Sequence, residues 1–177
     1  RKKWKIDENT KVITFLGRVH NIKGIDFLIE SFHELCKTRN DCLLLIVGPD
    51  DGFMEECENL VRDLGIQDKV IFTGFIGGND KNSVLFDSDI VVQTSRQEQG
   101  AWAPFEAVLC ETPIIVTEHT GAGEDVKRID AGETVKFGDK SQLVNIIEDI
   151  LLNYQYYHDK TLKAKNFIEN NLSMNER

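Results

Sequence analysis

Five short runs, at 12–16, 42–47, 70–73, 90–93 and 114–117, are apolar on consecutive positions instead of alternating ones. Strands of that kind are buried on both faces, so helices must cover both sides of a mostly parallel sheet. A weaker run at 134–136 extends the series. Helix-period segments separate the runs. Ile25, Leu28, Ile29, Phe32, Leu35 and Cys36 fall on one face, and Met54, Cys57, Val61 and Leu64 do so again, with Gly65 as the C-cap. Leu143, Ile146, Ile147, Ile150 and Leu151 form a third stripe, and a polar helix follows over about 154–170. This rhythm predicts an α/β fold: a Rossmann-like, doubly wound parallel sheet in three α/β/α layers. Ligands of such sheets lie at the carboxyl ends of the strands, so the loops there are where chemistry is sought.

A length of 177 residues suits one domain. Residues 1–10 read as a linker or the remnant of a preceding segment, and 11–177 as the folded unit. The basic start, Arg1-Lys2-Lys3-Trp4-Lys5, is followed by no apolar core, which excludes a signal peptide. No apolar run approaches the roughly 20 residues that span a bilayer. A net charge of −9 speaks against a broad nucleic-acid surface, so a phosphate ligand has to be met by a few local cations. Cys36, Cys42, Cys57 and Cys110 lack C-x-x-C spacing and read as buried free thiols in a reducing, cytoplasmic compartment. His20, His33, His119 and His158 show no metal-ligand spacing, so no metal site and no bound cofactor is expected.

The loop after the first run, Gly17-Arg18-Val19-His20-Asn21-Ile22-Lys23-Gly24, brackets a helix start with two cations. Arg supplies a planar fork and Lys a mobile point charge, a pair suited to a diphosphate, although solvated surface cations would look the same. It is not a Walker A loop. Gly48-Pro49-Asp50-Asp51-Gly52 reads as a turn that caps the next helix. Gly74-Phe75-Ile76-Gly77-Gly78-Asn79-Asp80 offers backbone to a flat base, with Asp80 equally an N-cap. Glu118-His119-Thr120-Gly121-Ala122-Gly123-Glu124-Asp125 either walls the same crevice or caps a helix through Thr120 or Glu124.

The loop after the fourth run carries Glu98 and Glu106 around a helix expected to start near Ala103, with Pro104 in its first turn. Gly100, Ala101 and Trp102 supply amides where a helix N-terminus favours phosphate. Two carboxylates for hydroxyls beside amides for phosphate suit a nucleotide-sugar. Spacing alone leaves that reading level with a first-turn Glu and an unrelated loop Glu. A glycosidase pair would need about 5–9.5 Å between carboxylates and leaves Arg18 and Lys23 without a task, so it ranks last.

Together the loops resemble the C-terminal, donor-binding domain of a GT-B glycosyltransferase, most similar to glycosyltransferase family 4. The pieces run in order: Gly17-Arg18 and Lys23-Gly24; Leu45-Ile46-Val47-Gly48-Pro49-Asp50; Val70-Ile71-Phe72-Thr73-Gly74-Phe75; Asp89-Ile90-Val91-Val92; Ser95-Arg96, Glu98 and Glu106-Ala107; Thr112-Pro113-Ile114-Ile115-Val116-Thr117. The resemblance implies transfer of a hexose-type sugar from a nucleotide-diphospho-sugar, with retention and without metal. Arg18, Lys23 and Glu98 would be catalytic, the two cations stabilising the departing diphosphate. Gly17, Glu98, Gly100, Ala101 and Trp102 would hold sugar and phosphate, Glu106 the ribose, and the backbone around Ile76 the base.

The partner implied is an N-terminal acceptor domain absent from this chain, without which the isolated domain would be inactive. The implied acceptor is lipid-linked or a polysaccharide, with the full-length enzyme peripheral to a membrane. The chain departs from the family's Glu-Gly-Phe-Gly with Glu98-Gln99-Gly100-Ala101, and Trp102 replaces a smaller aliphatic residue. Those departures motivate an alternative: a non-catalytic domain with a degenerate pocket in a structural or interaction role.

Overall fold

The computed structural model describes residues 1–97 and 102–171. Six parallel strands form one sheet: β1 (Lys11–Leu16), β2 (Cys42–Val47), β3 (Val70–Gly74), β4 (Ile90–Gln93), β5 (Ile114–Thr117) and β6 (Glu133–Val135). Their order is β3-β2-β1-β4-β5-β6. Around the sheet lie α1 (Ile25–Leu35), α2 (Met54–Asp63), α3 (Gly78–Asp87), α4 (Ala103–Leu109), α5 (Gly121–Ile129), α6 (Lys140–Leu152) and α7 (Tyr154–Asn171). The expected doubly wound, Rossmann-like sheet is therefore the fold.

The period-two alternation of strand side chains divides the core in two. Ile13, Phe15, Leu44, Ile46, Ile90 and Val92 face α1, α2 and α6, where Leu28, Phe32, Val61 and Ile147 meet them. Val12, Leu16, Leu45, Val47, Val91 and Val116 face the other layer, closed by Leu85, Val108, Val126 and Ala164. Burial on both faces holds for the inner strands. On the edge strand β3 only Val70 is buried, and Ile71 and Phe72 are half-buried.

Two boundaries differ from the sequence expectation. The last strand lies one residue earlier, because Glu133, Thr134 and Val135 pair with Ile115, Val116 and Thr117. The Lys136 amide instead donates to Gln142 Oε1 at 2.8 Å. Asp80 caps nothing: α3 starts at Gly78, with extended Gly77 in the capping position, and Asp80 falls within the first turn. Gly65 does end α2, at φ 68°, while the Ile66 amide closes back on Val61 O at 3.2 Å.

Residues 1–10 dock on the body. Lys2–Trp4 form a 3-10 turn, Trp4 and Ile6 pack on the second core layer, and the Arg1 guanidinium donates to Thr10 O at 2.7 Å and Asp87 O at 3.1 Å. The four cysteines are free thiols; Cys42, Cys57 and Cys110 are buried, but Cys36 at the end of α1 is only half-buried. Burial, the largest cause, pushes the Cys42 and Cys57 thiols up to about 12. Among the described residues no helix is long and apolar enough to cross a membrane.

The chain winds outward from β1 to β3, then α3 returns it to β4 on the other side of β1. In sheets with such a reversal the ligand crevice lies at the carboxyl ends of the two strands beside it, here β1 and β4. Pairing between these strands stops at Thr14↔Val91, before β1 ends at Leu16. Beyond it, the Gln93 side-chain amide reaches across to Leu16 O.

Candidate functional site

The loops after β1 and β4 are stitched together at that crevice. After β1 the chain passes Gly17 and Arg18 into a 3-10 turn, Asn21–Lys23, that Gly24 ends at φ 62°. His20 Nδ1 accepts the Ile22 amide at 3.1 Å and fixes the turn's start. Thr94, just beyond β4, donates its hydroxyl to Gly24 O at 2.9 Å, and the Arg96 amide donates to Ile22 O at 2.8 Å. A Cβ on Gly24 would lie 2.1 Å from Thr94 O, so only glycine permits this approach.

Arg96 holds the joint from outside. Its guanidinium donates to Asn21 O, pairs with the Asp26 carboxylate at 2.5 Å, and lies 5.0 Å over the Phe137 ring. Arg96 is thus a structural clamp on the turn that carries Lys23. The loop after β5 joins the same network, since Thr117 Oγ1 donates to Ser95 O at 2.7 Å.

On the other flank, the β1 and β2 loops run side by side. The Val19 amide donates to Pro49 O at 2.8 Å and the Asp51 amide to Val19 O at 3.0 Å. A Cβ on Gly48 would fall 1.8 Å from Gly17 O, so this contact too excludes a side chain. Arg18, expected to meet a diphosphate, pairs here with Asp51 at 2.5 Å, with side chains 63% and 39% exposed. A pair that exposed is weak, and a multiply charged phosphate can displace the aspartate.

Asp50 serves turn chemistry. Its Oδ1 accepts the amides of Gly52, Phe53 and Met54 at 3.0, 3.2 and 3.1 Å. Those bonds, the Met54 amide first, hold its carboxyl below the ordinary range. A depressed folded-state value means the stabilisation is present above the unfolded pKa and is lost as pH falls through the folded one. Asp50→Ala is therefore expected to lower the melting temperature at pH 7, and the gap to the parent should close in acid below the usual carboxylate range. A gap that stays constant with pH would contradict the capping role. Thr120 is likewise a cap: its Oγ1 accepts the Gly123 amide at 3.0 Å at the start of α5. His119 beside it stands 87% exposed.

The helix expected near Ala103 starts there, with Trp102 in the capping position and Pro104 in the first turn. Trp102 is 81% exposed. Glu106 sits in the first turn, where the helix dipole favours its charge. Its Oε1 lies 2.6 Å from Lys81 Nζ of α3, with side chains 39% and 28% exposed. Sequence reading missed Lys81, because nothing in its own segment announces that α3 meets α4. Ile76 places its side chain in the second core layer, so it has only main chain to offer a ligand; its neighbour Phe75 is 75% exposed. Glu98, Gly100 and Ala101 lie outside the described residues. Of the expected site residues, then, Gly17, Arg18 and Lys23 share the β1–α1 turn, while Ile76, Trp102 and Glu106 come from the β3 and β4 sides. Among the described residues no three His, Cys, Asp or Glu side chains gather as a metal centre.

Comparison with known structures gives the same fold. HepE from Anabaena, crystallised in complex with UDP and glucose, superposes with a TM-score of 0.87 at 23% identity, over 96% of this chain and 46% of that one. The C-terminal domain of the glycosyl transferase group 1 family protein LpcC from Francisella tularensis gives 0.82 at 21% identity, over 98% of this chain and 91% of that domain. The six-stranded sheet is that of GT-B glycosyltransferase structures. In sequence, a Bacillus subtilis protein named as a glycosyltransferase, YtcC, is 30% identical over 177 residues, 96% of this chain and 43% of its own length. Mannosylfructose-phosphate synthase of Agrobacterium fabrum is 32% identical over 118 residues, 63% of this chain and 26% of its own length. The chain thus spans less than half of these curated relatives. The family model described as "Glycosyl transferases group 1" matches residues 1–171, and the chain belongs to that family.

Proposed function

We propose that this chain is the donor-binding half of a retaining, metal-independent glycosyltransferase of the family-4 kind, which moves a hexose-type sugar from a nucleotide-diphospho-sugar. The acceptor, lipid-linked or a polysaccharide, is held by an N-terminal domain, and the isolated half is inactive without it. One observation carries the reading: the turn with Arg18 and Lys23 is hydrogen-bonded to the start of the β4–α4 connection at the sheet's topological switch. There the cations, the α4 start and Glu106 border one crevice. The complex of HepE with UDP and glucose, on the same fold, supports the ligand class.

In the reaction the bond from the anomeric carbon to the diphosphate oxygen breaks, the acceptor hydroxyl oxygen bonds to that carbon on the same face, and the hydroxyl proton passes to the departing diphosphate. Negative charge grows on the departing diphosphate, and Arg18 and Lys23 neutralise it, which is the work a metal ion would otherwise do. Gly17 keeps the turn's main chain near the phosphates, Glu98 takes sugar hydroxyls, and the amides of Gly100, Ala101 and Trp102 take phosphate oxygens. Main chain at Ile76 borders the base, and Glu106 takes the ribose hydroxyls.

Calorimetric titration of the 177-residue chain with UDP, GDP and ADP tests this. At least one is expected to bind at micromolar to millimolar concentration, without dependence on added EDTA. Glu106→Ala is expected to weaken the ribonucleotide about tenfold, the worth of a charge-assisted hydrogen bond, and its 2′-deoxy analogue far less. No binding of any of the three at millimolar concentration would point instead to a domain that kept the fold and lost the ligand. Equal losses for ribo and deoxy forms would remove Glu106 from the ribose site.

A further inference from the structure

The contact between Lys81 and Glu106 adds an ion pair to two helices whose apolar faces already meet in the second core layer, through Val84 and Leu85 of α3 and Ala107 and Val108 of α4. Lys81 is the fourth residue of α3, which follows the β3 loop; Glu106 lies in the first turn of α4, which follows the β4 loop. Their 2.6 Å contact therefore ties together the starts of the two helices whose preceding loops, on the donor-site reading, flank the base and the ribose. Only Oε1 of Glu106 is engaged by Lys81, and the carboxylate remains partly open to solvent. Each side chain alone has several rotamers; together they hold one carboxylate orientation.

Charge gives the contact a second consequence. A nucleoside diphosphate brings several negative charges to a chain already at −9, and an unpartnered Glu106 would repel them across the crevice. An ammonium on one carboxylate oxygen removes that repulsion and leaves the other oxygen for a hydroxyl.

We infer that Lys81 is a positioning residue for the donor site: it orients and neutralises Glu106, and so sets the preference for a ribose over a deoxyribose. The inference rests on the donor-site reading above and adds to it a residue outside the loops that carry the family resemblance.

Calorimetry with UDP, GDP and ADP and their 2′-deoxy counterparts tests it on five chains: the parent, Lys81→Met, Lys81→Arg, Glu106→Gln, and Lys81→Met made in the Glu106→Gln background. Lys81→Met is expected to weaken the ribonucleotide about tenfold, the deoxy form less than about threefold, and to bring their affinity ratio towards one. Lys81→Arg, which keeps the charge and the reach, is expected to restore the ratio. In the Glu106→Gln background Lys81→Met should change little, because its partner charge is gone. A purely structural bridge would move melting temperature without moving the ribo-to-deoxy ratio, and that result overturns the inference. So does unchanged or tighter binding by Lys81→Met. A parent chain that binds none of the nucleotides is a different result, and it overturns the donor-site reading together with this one.

Discussion

Gly24→Ala is expected to destabilise the chain by about 2–4 kcal/mol and to abolish nucleotide binding even where the fold survives. Two costs add. A left-handed backbone costs a residue with a Cβ about 1 kcal/mol, and at φ 62° Gly24 needs that conformation. The new Cβ would also stand 2.1 Å from Thr94 O and 2.8 Å from the Phe137 ring. Main-chain oxygen cannot rotate away, so the turn must move, and overpacking of this kind costs about 1–3 kcal/mol more. The movement pulls the Lys23 turn from the β4–α4 connection, breaking the 2.9 Å bond from Thr94 Oγ1.

Gly65→Ala is the control. It has φ 68° but nothing within 4 Å of its would-be Cβ. It should show the conformational cost alone, and full nucleotide binding. Urea denaturation of both variants separates strain from clash. Equal losses at the two sites, or Gly24→Ala that binds like the parent, would mean the stitch between the loops is dispensable.

Phe15→Ala is expected to cost about 3–5 kcal/mol, the range for deleting a buried aromatic ring. Against a total of about 5–15 kcal/mol, that brings the chain close to unfolding at room temperature. Phe15 is fully buried in the central strand β1 and packs in the layer closed by α1 and α6. Its ring also lies 3.3 Å from where a Gly17 Cβ would be, so it is the floor of the turn that starts at Gly17. Urea midpoints should fall with an unchanged m-value, and Phe15→Leu should recover most of the loss because it refills most of the volume. A loss under about 1 kcal/mol would show that the layer collapses around the gap.

The strands and the amphipathic helices could be read from the sequence because their signal is local. Burial on both faces writes itself as consecutive apolar residues, and burial of one helix face as a 3.6-residue period. β6 was displaced by one residue because its register comes from pairing with β5, which its own residues do not encode. Asp80 was ambiguous for a similar reason: any acid near a helix start resembles a cap, and only the main-chain path through Gly77 and Gly78 decides.

In the site, Arg18, Lys23 and Glu106 were visible as charged residues at fixed offsets from strand ends. Their partners were not. The pairing of Arg18 with Asp51, the clamp of Arg96 on Asp26, and the bridge from Lys81 to Glu106 each join residues on different loops or helices. Long side chains at surface positions satisfy many sequences equally well, so no local pattern selects them.

By itself, then, the sequence determined that this chain is a helix-covered parallel sheet with cations after its first strand and carboxylates about its fourth. Tertiary structure decided that the turn carrying Arg18 and Lys23 meets the start of the β4–α4 connection. The reason is topological: returning the chain through α3 sets β4 beside β1, and that brings residues some 70 positions apart, Gly24 and Thr94, into hydrogen-bond contact. Distance along the chain carries no trace of such an encounter; only the winding order of the sheet creates it.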